Sequence, residues 1–192
     1  SSGSHAEGRI TGKSAIRFLV NENPAKGNYE GAQIEDLKVK ILKPMVVFEE
    51  NKDKTTQTDV NPEYIVPKMF MMRLQKMMDE YAGGVTAQFC TSKPNLEKCL
   101  ENLALLHEDS DKLGAENLHQ LMRAWENVHR SYQAEAHVRA MLFREETRWP
   151  GYYFRSDTPK IDNENWNVFV NSVYDDKTGE WTMKKVPITT IV

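Results

Sequence analysis

The sequence predicts an α+β chain that is mainly helical: an opening helix and an irregular or strand-like segment, then a three-helix bundle, then a C-terminal β-hairpin. Three observations carry that reading. Apolar residues recur at helical spacing through the middle of the chain. Pro67 and Pro94 stand where first helical turns begin, and Gly83 and Gly84 stand where one ends. Near the C-terminus, two alternating stretches flank Asp175-Asp176-Lys177-Thr178-Gly179, a hairpin signal with a five-residue turn. At 192 residues and 40% apolar content the chain can bury an ordinary core. Its 25 basic and 28 acidic residues give a net charge of -3, which offers no electrostatic footprint for nucleic acid or an anionic membrane. Apolar runs such as Met45-Val46-Val47-Phe48 fall far short of the roughly 20 residues that span a bilayer.

The opening segment, Ser4 to Val20, spaces Ser4, Gly8 and Gly12 four apart, with Ala15 and Ile16 on the same side of a 3.6-period helix. Glycine costs a helix about 0.5 to 1 kcal/mol relative to alanine, so two on one face point to close packing. The free N–H groups of Ser2, Gly3 and Ser4 at such a helix start can also point at an electron-rich ligand group, with His5 beside them as a donor. With no initiator Met or leader before Ser1, the chain reads as a piece of a larger protein. Asn, Pro and Gly between Asn21 and Tyr29 mark a loop. Ile34 to Phe48 then supplies apolar residues in alternation and short runs, and Glu49 to Asn61 reads as a surface excursion. Phe48 is either a core plug or a stacking platform for a planar ligand, and the plug is favoured on the residues alone.

In the bundle, Phe70, Leu74, Met77, Met78 and Tyr81 form one stripe, thickened by Met69, Met71 and Met72. Such a Met-rich helix serves as adaptable core filling or as a partner-binding surface. Ser92 caps a second helix that buries Leu96, Cys99, Leu100, Leu103 and Leu106. A third, from about Lys112 to Thr147, carries Leu118, Leu121, Met122, Trp125, Val128, Tyr132, Ala136 and Met141. His107, His119, His129 and His137 lie in this region, with Glu126 and Glu135 nearby. No HExxH or ExxH pair occurs, however, so the mixture of Arg and Glu reads as an ion-paired face and no metal ligand is assigned. Cys90 and Cys99, nine apart, match neither metal ligation nor a disulfide framework and read as buried thiols. After the bundle, Arg148-Trp149-Pro150-Gly151-Tyr152-Tyr153-Phe154-Arg155 cannot continue a helix. The apolar Ile188, Ile191 and Val192 form a tail suited to docking.

Ser2-Gly3-Ser4-His5-Ala6-Glu7-Gly8-Arg9-Ile10-Thr11-Gly12-Lys13-Ser14-Ala15 resembles the flavin-contacting helix of the fumarate reductase and succinate dehydrogenase flavoprotein superfamily. Arg155, Asp157, Pro159, Asp162, Asn163 and Trp166 fit that superfamily's post-bundle pattern. Within it, residues 144–155, with Trp125-Glu126-Asn127-Val128-His129-Arg130 and Gln133-Ala134-Glu135-Ala136-His137-Val138-Arg139, are similar to the alpha subunits of dissimilatory adenylylsulfate reductases. Fumarate reductases usually carry an Arg-Gly-Ala-His run where this chain has Trp149 to Tyr153.

The resemblance implies that residues 1–62 end an FAD-binding domain, that 63–148 form a helical bundle domain, and that 149–192 hold the aromatic turn, hairpin and docking tail. It implies FAD contacts from Ser1, Ser2, Gly3, Ser4 and His5, and adenine stacking by Phe48. It further implies reversible reduction of adenosine 5'-phosphosulfate to sulfite and AMP, a partner beta subunit holding two [4Fe-4S] clusters, and a cytoplasmic location. No GxGxxG is present, and catalytic residues are expected upstream of Ser1, so the chain alone is expected neither to hold FAD tightly nor to turn over. A dicarboxylate-reducing flavoprotein and a non-catalytic helical interaction module are the alternatives.

Overall fold

The computed structural model describes residues 2–25, 27, 30–54, 61–149 and 151–189, with the backbone alone described at Ser2. Ser1, Pro150, Ile191 and Val192, assigned above to a flavin contact, the aromatic turn and the docking tail, lie outside them. Two compact units divide the chain, Ser1–Lys40 and Ile41–Val192.

In the first unit, α1 (Ser2–Glu22) is the expected opening helix. A Cβ built on Gly3, Gly8 or Gly12 would meet nothing within 4 Å, so the small-residue stripe packs on nothing among the described residues. Ile10, Ile16, Phe18, Leu19 and Val20 are exposed as well. The strand-like reading of Ile34 to Phe48 is corrected: this stretch lies within a single helix, α2 (Gly31–Asn51), which runs across the division between the units. The alternation and short apolar runs suggested strand, but Ile34, Leu37, Ile41, Met45 and Phe48 recur every three or four residues, which is a helical period. Pro44 sits inside α2 and has no N–H for the carbonyl four residues back, at Lys40, where the units divide. The surface excursion accordingly starts after Asn51, whose carbonyl accepts from Asn61 Nδ2 at 2.6 Å, pinning the two ends of the excursion together.

The second unit is built on α3 (Pro67–Tyr81), α4 (Lys93–Asp109) and α5 (Leu118–Phe143), each touching the other two. Pro67 occupies the first turn of α3 as expected, and Gly83 leaves it at φ +80, a left-handed conformation that glycine adopts freely. Ser92 is the N-cap residue of α4, but its side chain makes no capping hydrogen bond. The core joins Phe70 and Leu74 of α3 to Leu96, Cys99, Leu103 and Leu106 of α4 and to Ala124, Val138 and Met141 of α5, closed over by Leu113. Burial pushes the Cys99 thiol up to about 11, so it stays protonated and unreactive at neutral pH. Cys90 is only half buried.

The third helix is shorter than its pattern and turned relative to it. Ser110–Lys112 form a 3-10 turn, and α5 starts only after Asn117, whose side chain accepts from the Gln120 N–H at 3.0 Å. Its buried line is Leu121, Ala124, Asn127, Ser131, Val138 and Met141, while Leu118 is 70% exposed and Met122 50%. Two polar residues therefore face inward: Asn127 Nδ2 donates to the Pro67 carbonyl at 2.6 Å, and Ser131 Oγ to the Val128 carbonyl at 2.7 Å.

The hairpin forms as expected, β3 (Val168–Asp175) pairing antiparallel with β4 (Glu180–Pro187) in the register Asp175 to Glu180. Asp175 belongs to the strand, so the loop is residues 176–179, closed by the Gly179 N–H on the Asp175 carbonyl at 2.8 Å. A second pairing escapes sequence reasoning: β1 (Cys90–Thr91) lies parallel to β2 (Phe154–Arg155), fastening the segment after α5 onto the α3–α4 connection. Its two-residue strands, more than 60 residues apart, leave no periodic signal.

The inward face of the bundle is tested by two leucines. Leu103→Ala, at a fully buried position, is expected to lower the unfolding free energy by about 2–5 kcal/mol. Leu118→Ala, at an exposed one, is expected to change it by less than about 0.5 kcal/mol in the same denaturant titration.

Candidate functional site

The residues with a predicted binding role fall in both units. In α1 the first N–H groups have no intrahelical acceptor, and they belong to the turn that holds Ser2, Gly3, Ser4 and His5. Gly3, Ser4 and His5 are exposed, and Gly3 presents open backbone that a flat ligand can approach closely. The aligned peptide dipoles place roughly half a positive charge at such an end. The turn therefore fits a ring that gains negative charge on reduction.

Phe48, in the second unit, is half buried, and its ring meets Tyr64 edge-on with centroids 5.4 Å apart. Tyr64 lies so close to Gly114 that a Cβ there would come within 2.5 Å of its ring. Hydrogen bonds of Ile65 N–H to the Lys112 carbonyl (2.8 Å) and of Gly114 N–H to the Ile65 carbonyl (3.0 Å) hold the two segments together. Phe48 thus sits on a tightly fitted wall.

The post-bundle motif turns out to be a buried polar network. Arg155 is 1% exposed; its guanidinium donates to the Met141 carbonyl at 2.6 Å, to the Arg144 carbonyl at 3.1 Å, and to Asp157 Oδ1 at 2.9 Å. The helix carbonyls at the end of α5 have no intrahelical donor, and a cation is favoured at that end. Asp162 caps the short helix α6 (Asn163–Trp166) by accepting from the Asn165 N–H at 3.0 Å. Trp166 is buried, with Phe143 edge-on to it and Lys185 Nζ 3.5 Å from its centroid.

Sequence reasoning passed over the centre of this network. Glu146 is fully buried and accepts from Arg144 (2.5 Å), from Arg148 Nε (2.6 Å) and from the Asp162 N–H (2.9 Å). Burial pushes its pKa up, but the hydrogen bonds from Arg148, Asp162 and Arg144 outweigh that and hold it below the ordinary value. The Arg155 guanidinium likewise holds Asp157 below the usual carboxylate range. The signal was available in Arg144-Glu145-Glu146-Thr147-Arg148, where one carboxylate stands two residues from each of two arginines. The partners of Glu146 and Arg155 tie the end of α5 to the segments that follow it, and these residues position the chain.

Among the described residues no group of three or more His, Cys, Asp and Glu is arranged to hold a metal ion. His107 stacks on Tyr132 at 4.5 Å, and its Nδ1 lies 3.6 Å from Glu135. His129 leans over Trp125, whose indole N–H donates to the Ile41 carbonyl at 2.9 Å. Trp149 and Tyr152 of the aromatic turn stand 68% and 84% exposed, and Gly151 between them takes φ +97.

Residues 71–191 match the protein family described as "Fumarate reductase flavoprotein C-term". The whole chain is 44% identical to the adenylylsulfate reductase subunit alpha of Megalodesulfovibrio gigas. The solved adenylylsulfate reductase of Archaeoglobus fulgidus is 52% identical over 98% of the chain, with a TM-score of 0.92. A structure of adenosine-5-phosphosulfate reductase holding sulfite as a covalent adduct gives the same identity, coverage and TM-score. The chain spans 29% of the length of each of these relatives.

The acid limb of stability reports on the buried network. Glu146 and Asp157 both have folded pKa values below their unfolded ones, so their stabilisation is complete above the ordinary carboxylate value of about 4 and is lost as pH falls through the depressed folded values. Asp157→Asn is expected to lower stability at pH 7 by about 1–3 kcal/mol and to flatten the decline below about pH 4 in thermal melts.

Proposed function

The chain belongs to the fumarate reductase flavoprotein C-terminal family, and we propose that it works as the C-terminal part of the FAD-containing catalytic subunit of an adenylylsulfate reductase. That enzyme interconverts adenosine 5'-phosphosulfate plus two electrons with sulfite plus AMP. The observation that carries the reading is the agreement over 98% of the chain, at 52% identity and a TM-score of 0.92, with adenylylsulfate reductases, one of them solved as a sulfite adduct. In this reading residues 1–62 close the flavin-binding domain, 63–148 form the bundle, and 149–192 form the aromatic turn, hairpin and tail. The partner is an iron–sulfur beta subunit that carries [4Fe-4S] clusters, and the location is cytoplasmic. No described helix is long and apolar enough to cross a membrane.

The flavin supplies the two-electron chemistry at sulfur. The part of this chain is to hold and polarise. Ser1 and the first turn of α1, Ser2 through His5, would bring their N–H groups to the flavin ring, where the helix dipole favours negative charge on the reduced form. His5 donates beside it. The Glu146 and Arg155 network fixes the end of α5 and the segments around it, so the exposed aromatic turn stands on a rigid base. Phe48 is proposed to stack on the substrate adenine; its half-buried ring keeps Tyr64 on one edge.

Coexpressed at full length with its iron–sulfur partner, the protein is expected to reduce ferricyanide in the presence of AMP and sulfite and to be inactive with succinate. Activity with succinate alone moves the chain to the dicarboxylate branch. Ser4→Asp, which sets a negative charge against the reduced ring, is expected to lower the flavin potential by roughly 20 mV for each kcal/mol of repulsion, read by spectroelectrochemical titration. An unchanged potential removes α1 from the cofactor site. Phe48→Ala separates the two roles of its ring: a raised KM for AMP at an unchanged melting midpoint supports stacking, and a lowered midpoint at an unchanged KM makes it a plug.

A further inference from the structure

Between α3 and the first half of α5 lies a cleft of about 470 Å3, walled by Met71, Met72, Gln75, His119 and Arg123, with Asn127 among its lining residues. That volume falls within the range of built ligand sites. Asn127 is 1% exposed; its Nδ2 is committed to the Pro67 carbonyl, but its Oδ1 is buried without a partner. Leaving such an acceptor empty is costly, so this part of the cleft calls for an N–H or O–H donor. The lining includes Lys68, His119 and Arg123 and no carboxylate. Arg130 reaches the same wall, its guanidinium 3.5 Å from Met71 Sδ. Glu126 lies 3.7 Å from Arg123 and 3.8 Å from Arg130, so one carboxylate is shared between two arginines while Lys68 has no ion pair among the described residues. The rim is therefore cationic.

Apolar side chains elsewhere on the same two helices are exposed as well. Met69 and Met72 on α3 are 48% and 55% exposed, and Leu118 and Met122 on α5 are 70% and 50% exposed. The Met stripe of α3 thus divides: Met77 and Met78 pack on the core, while Met69, Met71 and Met72 line or flank the opening. Methionine is unbranched and polarisable and adapts to varied apolar partners. Met walls, a cationic rim and a buried acceptor together ask for apolar groups, negative charge and an N–H donor, a combination that an acidic chain segment supplies.

We propose that the α3–α5 cleft docks an acidic polypeptide segment of a partner protein, one that inserts apolar side chains between Met71 and Met72, gives a backbone N–H to Asn127 Oδ1 and sets carboxylates on Lys68 and Arg123. This role is separate from the redox chemistry and does not depend on it.

The test uses the full-length subunit and a fluorescein-labelled peptide with Leu at i, i+3 and i+7 and Asp or Glu elsewhere, followed by fluorescence anisotropy. Saturable binding is expected, absent for the counterpart with Lys in place of each acid and weakened about tenfold or more by Arg123→Glu. Met72→Glu, also at an exposed position, is expected to weaken it as well. The bound peptide is expected to protect Met71 and Met72 from hydroxyl-radical oxidation. The proposal fails if the acidic peptide does not saturate, or if neither variant changes its affinity. Displacement of the peptide by AMP would make the cleft a small-anion site instead. Protection of Met72 with no peptide present would mean that the subunit's own chain already covers it.

Discussion

The end of α5 is the constraint on which the second unit depends. A helix of 26 residues leaves its last carbonyls without intrahelical donors, and here that end is buried. Arg155, arriving from beyond the aromatic turn, gives the Met141 and Arg144 carbonyls those donors. A buried guanidinium needs a counter-charge and full hydrogen bonding to be tolerated, and Asp157, two residues on, meets the first need. Removing Asp157 would leave the buried Arg155 guanidinium without its counter-charge, and removing Arg155 would leave the α5 carbonyls without their donors. The two residues form one device, and the path of residues 144–157 follows from it.

Glu146 extends the same logic outward. Its carboxylate collects Arg144, Arg148 and the Asp162 N–H, and Arg144 continues to the Trp166 carbonyl at 2.9 Å and the Val168 carbonyl at 2.7 Å. Thr147 adds a hydroxyl that donates to the Thr158 carbonyl and accepts from the Arg155 N–H. The bundle, α6 and the start of the hairpin are thus tied by charge-assisted hydrogen bonds as well as by an apolar interface. Such bonds are directional, so they fix orientation where hydrophobic contact alone fixes only proximity. A family whose chemistry resides in a flavin asks of this region a rigid support, and the network supplies one.

The candidate cofactor contact is a different kind of feature. The first turn of α1 carries no ion pair or buried side chain among its described residues, and what it offers is backbone polarity at an open glycine. Such a site acquires meaning from the ligand set against it. The same holds for the exposed apolar residues of α1, which have the composition of a packed helix and no partner among the described residues.

The sequence by itself determined the bundle, the hairpin and the punctuation between them, because these rest on local physics. Pro67 starts α3, Gly83 ends it, and Asp175 to Gly179 turns the hairpin without reference to distant residues. Motifs also pointed to α1 as the candidate cofactor contact and picked out the set Arg155, Asp157, Asp162 and Trp166. Tertiary structure decided what periodicity leaves degenerate. Ile34 to Phe48 carries both alternation and a three-to-four spacing, and it is helix in the structure, where Pro44 is buried and its carbonyl accepts from the Ala115 N–H at 2.8 Å. The buried line of α5 moved to Asn127 and Ser131 because their donors, Nδ2 and Oγ, found carbonyl acceptors at Pro67 and Val128, and a buried donor is costly without one. The parallel pair of Cys90–Thr91 with Phe154–Arg155 and the convergence on Glu146 join residues far apart in the chain or divided by an irregular turn. No local pattern encodes such meetings, because the energy that selects them exists only once the core has brought the segments together.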